Sequence, residues 1–305
     1  MSKADWVDGW VTRLQSGFYT VHTSEGVVVC GLRGRLKRTK VRADILAVGD
    51  RVKITLLPEG SGVIEYIEPR QRVLARMDPT PRGEYQQVLL SNPDQVVLVF
   101  ACADPEPHTR MLDRFLVICE KQGIPVQIIA NKTDLVGMQR ARELFGLYEP
   151  LGYPVIYTSV KHGNGLEELR AALQGKVSGL AGPSGVGKSS LLNAIQPELG
   201  LAVREISDAT SKGRHTTNVR EMFPLNGGGF VTDLPGLRAL ALWDIQPEEL
   251  DGYFPELRGL VSACQFNDCT HRSEPGCAVL RAVEIGQVDR RRYISYLNLR
   301  AGELQ

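Results

Sequence analysis

The residues from Gly182 to Ser189 have the most chemically specific spacing in the sequence. They read GPSGVGKS and match the pattern G-x-x-x-x-G-K-[S/T] at every fixed position. The glycines let backbone N–H groups turn inward around phosphate oxygens, where a Cβ would block the approach. In such a loop the lysine brings a cation to the β- and γ-phosphates, and the hydroxyl after it binds Mg²⁺. We therefore predict a phosphate-binding loop, with Lys188 catalytic and Ser189 the magnesium ligand, made of Gly182, Pro183, Ser184, Gly185, Val186, Gly187, Lys188, Ser189 and Ser190.

A second motif predicts which base the nucleotide carries. Asn131, Lys132, Thr133 and Asp134 match N-K-x-D and follow an apolar run that ends at Ala130. A carboxylate at the last position can accept hydrogen bonds from N1–H and the exocyclic amine of guanine, whereas adenine offers no matching donor pair. Since an unpaired buried carboxylate is costly, this arrangement favours GTP over ATP. A second base-contacting loop is predicted at Thr158 and Ser159.

A third group of residues is predicted to sense the γ-phosphate. Asp233 and Gly236 fit D-x-x-G, in which the Asp holds Mg²⁺ through water and the Gly N–H meets the γ-phosphate. The polar segment Lys212–Thr217 precedes them, and either Thr216 or Thr217 is expected to bind Mg²⁺ only while a γ-phosphate is present. An ordinary turn is the alternative interpretation of that segment.

The residue that positions the attacking water is not evident from these motifs. In GTPases such as Ras a Gln after DxxG has this role, but here Leu237 follows Gly236. We predict slow hydrolysis by the isolated protein and take His215 as the candidate catalytic residue, ordered when a partner binds. The alternative role for His215 is contact with an RNA phosphate, since imidazole can serve both.

Four potential metal ligands lie close together near the carboxyl end. Cys264, Cys269, His271 and Cys277 supply three thiolates and one imidazole, which is a complete tetrahedral set for one Zn²⁺ ion with no position left for water. We predict a structural zinc site, with free thiols as the alternative. The region after Leu240 has few apolar residues for an independent core, so a metal would help to hold it together.

The elements that must position these motifs change character along the chain. Five short runs with turn residues between them predict an OB-type barrel near the amino end: Trp10–Val11, Phe18–Val21, Val27–Cys30, Arg51–Leu57 and Gly62–Ile67. Pro69–Glu84 is polar and is predicted to be a linker. Apolar strands then alternate with amphipathic helices up to about residue 240, which is typical of a parallel, helix-covered sheet. We expect domains at 1–72, 73–240 and 241–305, the last small and helical.

Charge and composition narrow the possible partners. The net charge is only +1, so no global attraction to a polyanion is implied. A local basic run without acidic residues could follow a phosphate backbone, although a solvated face would look the same; it comprises Arg33, Arg35, Lys37, Arg38, Lys40 and Arg42. The sequence has no apolar run long enough for a membrane span, and we expect a soluble cytoplasmic monomer.

The order of the motifs is itself informative. Ordinary GTPases run from phosphate loop through switch threonine and DxxG to NKxD, whereas here NKxD and the second base loop come first. This order predicts a circularly permuted GTPase, which is feasible because domain termini often lie close together. One mechanical consequence is expected: the segment after DxPG leads straight into the carboxyl-terminal region, so loss of the γ-phosphate could move that whole region.

Together, these features closely resemble the bacterial ribosome small subunit-dependent GTPase A family. The resemblance rests on GPSGVGKSS, NKTD, GRHTT and the stretch CQFNDCTHRSEPGC, and it covers essentially the whole chain. It implies a late assembly factor that binds the small ribosomal subunit and its rRNA, hydrolyses GTP to GDP there, and leaves. Two positions differ from the usual family motifs. Leu234 stands where the family usually has Thr in D-T-P-G, and the second base loop reads Thr158-Ser159-Val160 where the family more usually has Ser-Ala.

Two other functions are alternatives. A regulatory GTPase that acts on another RNA or protein would use the same nucleotide motifs. An RNA-binding module with a decayed nucleotide site is disfavoured, because Lys188, Ser189 and Asp233 are all intact.

Overall fold

The amino-terminal part of the chain is a closed barrel of five strands. The computed structural model describes residues 6–37, 43–77, 86–201, 221–234 and 245–303. Within them the barrel has the strand order β1-β2-β3-β5-β4 and is built from β1 (Val7–Gln15), β2 (Phe18–Thr23), β3 (Gly26–Leu32), β4 (Arg51–Leu56) and β5 (Gly62–Ile67). Alternate side chains point inward, and Val11, Val21, Ile54 and Ile64 are fully buried there. The predicted barrel is confirmed. A short helix, α1 (Gly34–Lys37), follows β3.

The segment after the barrel is not simply a linker, so that prediction was wrong in part. Strand β6 (Val73–Met77) lies within it and pairs antiparallel with β7 (Gln86–Ser91). The segment is rich in Pro and Arg, and its short apolar stretch, in which Leu74 is fully buried, was therefore not recognised as a strand. The end of β7 also contacts the segment just before barrel strand β4: Ser91 N donates to Val48 O, and Asn92 Nδ2 donates to Gly49 O.

A six-stranded sheet forms the centre of the molecule. Its order is β10-β9-β8-β11-β13-β12, and all neighbours are parallel except β12 and β13. The strands are β8 (Gln95–Ala101), β9 (Val126–Asn131), β10 (Val155–Tyr157), β11 (Val177–Ala181), β12 (Met222–Pro224) and β13 (Phe230–Asp233). The expected parallel sheet is therefore present, with one antiparallel edge strand.

Helices cover both faces of this sheet. Strand β8 shows why: Val96, Leu98 and Phe100 join the core on one face, and Val97, Val99 and Ala101 the core on the other. Because side chains alternate along a strand, a continuous apolar run requires cover on both sides. Helices α2 (Thr109–Lys121) and α3 (Met138–Phe145) cover the first face, and α4 (Leu166–Leu173) and α5 (Lys188–Ile195) the second.

The carboxyl-terminal region is mostly helical. A 3₁₀ helix at Pro247–Tyr253 is followed by α6 (Pro255–Arg258), α7 (Ala278–Glu284) and α8 (Arg290–Arg300). Too few apolar residues were expected for an independent core, and this is correct only in part, because Leu250, Phe254, Leu257 and Tyr296 form a buried cluster. That cluster also contains Val117 of α2, so its core is shared with the sheet region. The composition of the carboxyl-terminal region does not reveal this shared core, because Val117 belongs to another part of the chain.

A buried ion cluster reinforces the same contact. The Arg292 guanidinium, 1% exposed, pairs with Asp113 of α2 and donates from Nε to Glu256 Oε1 at 2.6 Å. Burial opposes the charge on Arg292, but the carboxylates of Asp113 and Glu256 outweigh it and raise the pKa of the guanidinium. Separately, in the parts of the chain described here, none of the helices has the length and apolar character to cross a membrane.

Candidate functional site

The motifs meet at one edge of the sheet. Strands β9, β10, β11 and β13 are parallel, so their carboxyl ends lie at the same edge, where open α/β sheets bind ligands. Asn131 ends β9, Thr158 and Ser159 follow β10, Gly182 follows β11, and Asp233 ends β13. Residues from distant parts of the sequence therefore lie at one edge of the sheet.

The phosphate-loop residues have a backbone that requires glycine at two points. Gly182 has φ +151°, and a Cβ there would lie 2.0 Å from the carbonyl oxygen of Val99. Gly187 has φ +95°, and a Cβ there would lie 2.5 Å from Asn131 Nδ2. At the start of α5, Lys188 Nζ donates to the carbonyl oxygens of Gly182 and Pro183, both at 3.0 Å, so its ammonium group lies over the loop.

Asn131 joins the base motif to the phosphate loop. Its Nδ2 donates to the Val186 carbonyl at 2.8 Å, and its Oδ1 accepts from the Thr158 hydroxyl at 2.9 Å. Both polar atoms of this buried amide are thereby satisfied inside the protein. Asn131 therefore connects the loop after β10 to the phosphate loop, and each of its polar side-chain atoms has one partner inside the protein.

Asp134, the last residue of the base motif, has a carboxylate held by a neighbouring hydroxyl. Its Oδ1 accepts a 2.6 Å hydrogen bond from the Ser159 hydroxyl, which lowers the pKa of Asp134 and keeps the carboxylate ionised. The hydroxyl of Thr133, the residue before Asp134, donates to the Thr158 carbonyl at 3.1 Å. Lys132 has a left-handed backbone with φ 61°, and its ammonium donates to the Asp104 carbonyl. The chain thus presents a fixed anion at the sheet edge.

Asp233 lies beside the phosphate loop. It is paired in register with Leu180 on β11, one residue before that strand ends. Desolvation raises the pKa of Asp233, while the nearby Lys188 ammonium opposes the rise. Gly236, His215, Thr216 and Thr217 lie outside the described residues.

The three cysteines and the histidine predicted as metal ligands come together in space. One ligand atom from each of Cys264, Cys269, His271 and Cys277 lies within 4.8 Å of all the others. His271 Nδ1 is 3.6 Å from Cys264 Sγ and 3.4 Å from Cys277 Sγ, and those two sulfurs are 4.0 Å apart. Tetrahedral Zn–S and Zn–N bonds imply edges of about 3.8 Å between sulfurs and about 3.5 Å between sulfur and nitrogen. The cluster could therefore hold a metal ion.

The basic run is only partly described. Arg33 Nε lies 3.2 Å from Glu65 Oε2, and Arg35 Nη2 donates to the Glu65 carbonyl at 2.8 Å. About half or more of each arginine side chain remains exposed. Arg38, Lys40 and Arg42 lie outside the described residues, and only the backbone of Lys37 is described.

Several contacts could not have been found from motifs. The sequence predicted a second base-contacting loop at Thr158 and Ser159, but not that their hydroxyls donate to Asn131 and Asp134. Asp251, whose Oδ2 is 3.1 Å from His271 Nε2, carries no sequence signal, because it lies outside the cysteine cluster.

Family comparison agrees with this geometry. Residues 67–243 match the RsgA GTPase family model, and residues 8–64 match the RsgA N-terminal domain model. A protein of Gemmatimonas aurantiaca named small ribosomal subunit biogenesis GTPase RsgA is 47% identical over 296 residues, covering 96% of each chain. A protein of the same name from Moorella thermoacetica is 41% identical over 97% of each chain.

Solved structures have the same architecture. YjeQ from Thermotoga maritima is 39% identical, with a TM-score of 0.79 over 98% of this chain and 99% of that one. YloQ, described as a circularly permuted GTPase, is 32% identical with a TM-score of 0.76 over 99% of this chain and 97% of that one. The permuted motif order, the sheet edge and the family match agree, and the chain belongs to the RsgA GTPase family, whose members hydrolyse GTP.

Proposed function

We propose that this GTPase acts in the late maturation of the small ribosomal subunit, that it binds the subunit and its rRNA, and that GTP hydrolysis releases it. The observation that carries this proposal is the extent of the match. Relatives named for small ribosomal subunit biogenesis align over almost the whole chain, including the barrel and the metal cluster. A GTPase that regulates another RNA or protein partner remains the alternative outcome of the test below.

The nucleotide roles follow from the sheet edge. Asp134 recognises guanine, with Asn131, Lys132, Thr133, Thr158 and Ser159 shaping the base site. Residues Gly182 to Ser190 surround the phosphates, and Lys188 supplies positive charge where charge develops during phosphoryl transfer. Magnesium accompanies GTP, with the Ser189 hydroxyl as a direct ligand and Asp233 bound through water. Thr216 or Thr217 supplies a further magnesium ligand. The backbone N–H of Gly236 donates to the γ-phosphate. The hydrogen bonds of Asn131 and Lys188 support this arrangement.

Zinc is the metal that fits the cysteine cluster best. Three thiolates and one imidazole suit Zn²⁺, and the separations among the ligand atoms of Cys264, His271 and Cys277 match those of a tetrahedral site. With four protein ligands present, the site has a structural role and leaves no position for a reacting water.

The barrel is the proposed contact with rRNA. Arg33 and Arg35 are partly exposed on one side of it, and the following residues of the basic run extend the same charge along the sequence. Glu65 anchors both guanidinium groups and so limits their freedom, which reduces the entropy lost when they meet a phosphate. The domain limits 1–72, 73–240 and 241–305, a monomeric state and a cytoplasmic location belong to the same proposal.

Co-sedimentation with purified ribosomal particles tests the proposal. The full chain is mixed with small subunits, large subunits or neither, in the presence of GTP, GDP or a non-hydrolysable GTP analogue. We expect co-sedimentation with small subunits, strongest with the analogue and weakest with GDP, and faster GTP hydrolysis in their presence. Equal recovery with all particles and nucleotides, with no stimulation of hydrolysis, would overturn it.

A further inference from the structure

The two ring nitrogens of His271 face different groups. Nδ1 points into the cysteine cluster, 3.4 Å from Cys277 Sγ and 3.6 Å from Cys264 Sγ. Nε2 points away from it and lies 3.1 Å from Asp251 Oδ2. The imidazole is fully buried, so solvent does not compete for either nitrogen.

We propose that His271 binds the metal through Nδ1 and that Asp251 is the positioning residue that selects this nitrogen. A neutral imidazole carries its proton on one nitrogen and its lone pair on the other. Hydrogen bonding of Nε2–H to the Asp251 carboxylate places the lone pair on Nδ1, facing the sulfurs. The inference rests on the proposed zinc occupancy of this cluster.

The backbone around His271 supports a fixed ring orientation. His271 has φ +60°, a left-handed conformation that is uncommon for a residue with a side chain. Its carbonyl accepts a 2.7 Å hydrogen bond from the Tyr293 hydroxyl, and its ring lies 5.9 Å from that of Tyr296. Helix α8 thus fixes the backbone and one side of the ring, while Asp251 fixes the outer nitrogen. Binding through Nε2 would break the contact with Asp251.

This geometry gives the metal a second structural role. Asp251 belongs to the 3₁₀ helix Pro247–Tyr253, the first described element after β13. The same helix is joined to α2 by the ion pair between Glu249 and Lys121, 3.2 Å apart. Through His271 and Asp251, the metal cluster therefore also holds the segment that connects the sheet to the carboxyl-terminal region.

Two measurements on the zinc-loaded full chain test the proposal. In the unmodified chain, long-range ¹H–¹⁵N NMR spectra of ¹⁵N-labelled histidine distinguish metal-bound Nδ1 from metal-bound Nε2. We expect Nδ1 binding with a protonated Nε2. This measurement needs no variant, so it decides the ligating atom even if a substitution disturbs folding.

The second measurement is zinc affinity by competition with a chromogenic chelator. Asp251→Ala is expected to weaken zinc binding by 10- to 100-fold, as is typical for loss of a carboxylate that orients a metal-bound His. Asp251→Asn keeps an acceptor oxygen without the charge and should fall between Asp251→Ala and the unmodified chain. Glu249→Gln, on the same helix but away from His271, is the matched control and should leave the affinity unchanged.

Different failures have different meanings. Metal-bound Nε2, or equal zinc affinity for Asp251→Ala and Glu249→Gln, would overturn the inference while leaving zinc in place. A purified full chain that binds no zinc would overturn both the zinc assignment and the inference. GTP hydrolysis by each variant serves only as a check that the sheet is folded.

Discussion

At the scale of single residues, the proposed guanine recognition by the Asp134 carboxylate makes a testable prediction. The hydroxyl of Ser159 donates to Oδ1 of Asp134, and a carboxylate can accept further hydrogen bonds from the N1–H and the exocyclic amine of guanine. Asp134→Asn exchanges an acceptor oxygen for an N–H₂ donor, which opposes the guanine amine but suits the carbonyl of xanthine. We expect the specificity constant for GTP to fall by at least 100-fold and that for xanthosine triphosphate to rise, measured as kcat/KM for both nucleotides. Unchanged GTP hydrolysis together with rejection of the xanthine nucleotide would show that Asp134 does not read the base.

The water-positioning residue is a second residue-scale question. We expect small subunits to stimulate GTP hydrolysis by about 10³- to 10⁵-fold, the scale of catalytic groups supplied in other GTPases. His215→Ala should remove most of this stimulation and leave GTP-dependent subunit binding intact. The two readouts separate catalysis from RNA contact, because a histidine that only contacts RNA would weaken binding as well. Equal stimulation of the variant and the unmodified chain would remove His215 from the mechanism.

At the scale of elements, the hairpin of β12 and β13 joins the sheet to the barrel. Phe230 opens β13, is 8% exposed, and packs against Trp10 and His22 of the barrel at centroid distances of 5.8 and 5.4 Å. Beside it, Arg13 forms an isolated bridge to Glu221, next to an irregularity in β1 between Val11 and Arg13. The hairpin that ends in Asp233 is therefore attached directly to the barrel.

This contact predicts an unequal response to two phenylalanine substitutions. Phe230→Ala should destabilise the protein by about 3 kcal/mol, because a buried ring that bridges two elements is lost. Phe18→Ala is the matched control on the barrel, where the ring is 61% exposed, and should cost no more than about 0.5 kcal/mol. The shift of the urea midpoint measures both. Equal shifts would mean that the ring of Phe230 contributes nothing beyond a surface residue.

A further prediction at the scale of elements concerns the cysteine cluster in the carboxyl-terminal region. If the cluster holds zinc as proposed, its removal would leave the buried Cys269, His271 and Cys277 without their shared partner, so we expect the loop around them to unfold while the sheet persists. Proteolysis after treatment with a chelator, mapped by mass spectrometry, should show new cleavage between residues 264 and 277. Nucleotide binding should continue in the same sample. Loss of nucleotide binding at the same chelator concentration would show that the two regions unfold as one.

At the scale of the whole molecule, a buried charge cluster joins the carboxyl-terminal region to the sheet region. Arg292→Met would leave Asp113 and Glu256 without their cation and should cost about 3–5 kcal/mol, as expected for a broken buried pair. Arg290→Met is the control, since this neighbouring arginine on α8 is exposed and its loss should cost no more than about 0.5 kcal/mol. Thermal unfolding of the two variants compares them. Similar midpoints would mean that the buried cluster does not hold the regions together.

Local motifs were readable from the sequence because their chemistry comes from adjacent residues. The phosphate loop, NKTD and the cysteine cluster each lie within a short stretch, and the alternation of apolar strands with helices predicted the sheet between them. The motif order predicted the permutation for the same reason: it is a property of the chain itself. Strand β6 was missed because its apolar stretch is short and lies among Pro and Arg residues.

Other features depended on which distant residues the fold brings together. The contacts of Asn131 with Val186, of Ser159 with Asp134 and of Asp251 with His271 join different elements, and no local spacing encodes them. The shared core at Val117 and the Arg292 cluster belong to the same class. Sequence determined which chemical groups this protein has and the order in which they occur. Only the tertiary structure decided which of them touch, because side-chain contacts depend on strand register and helix packing.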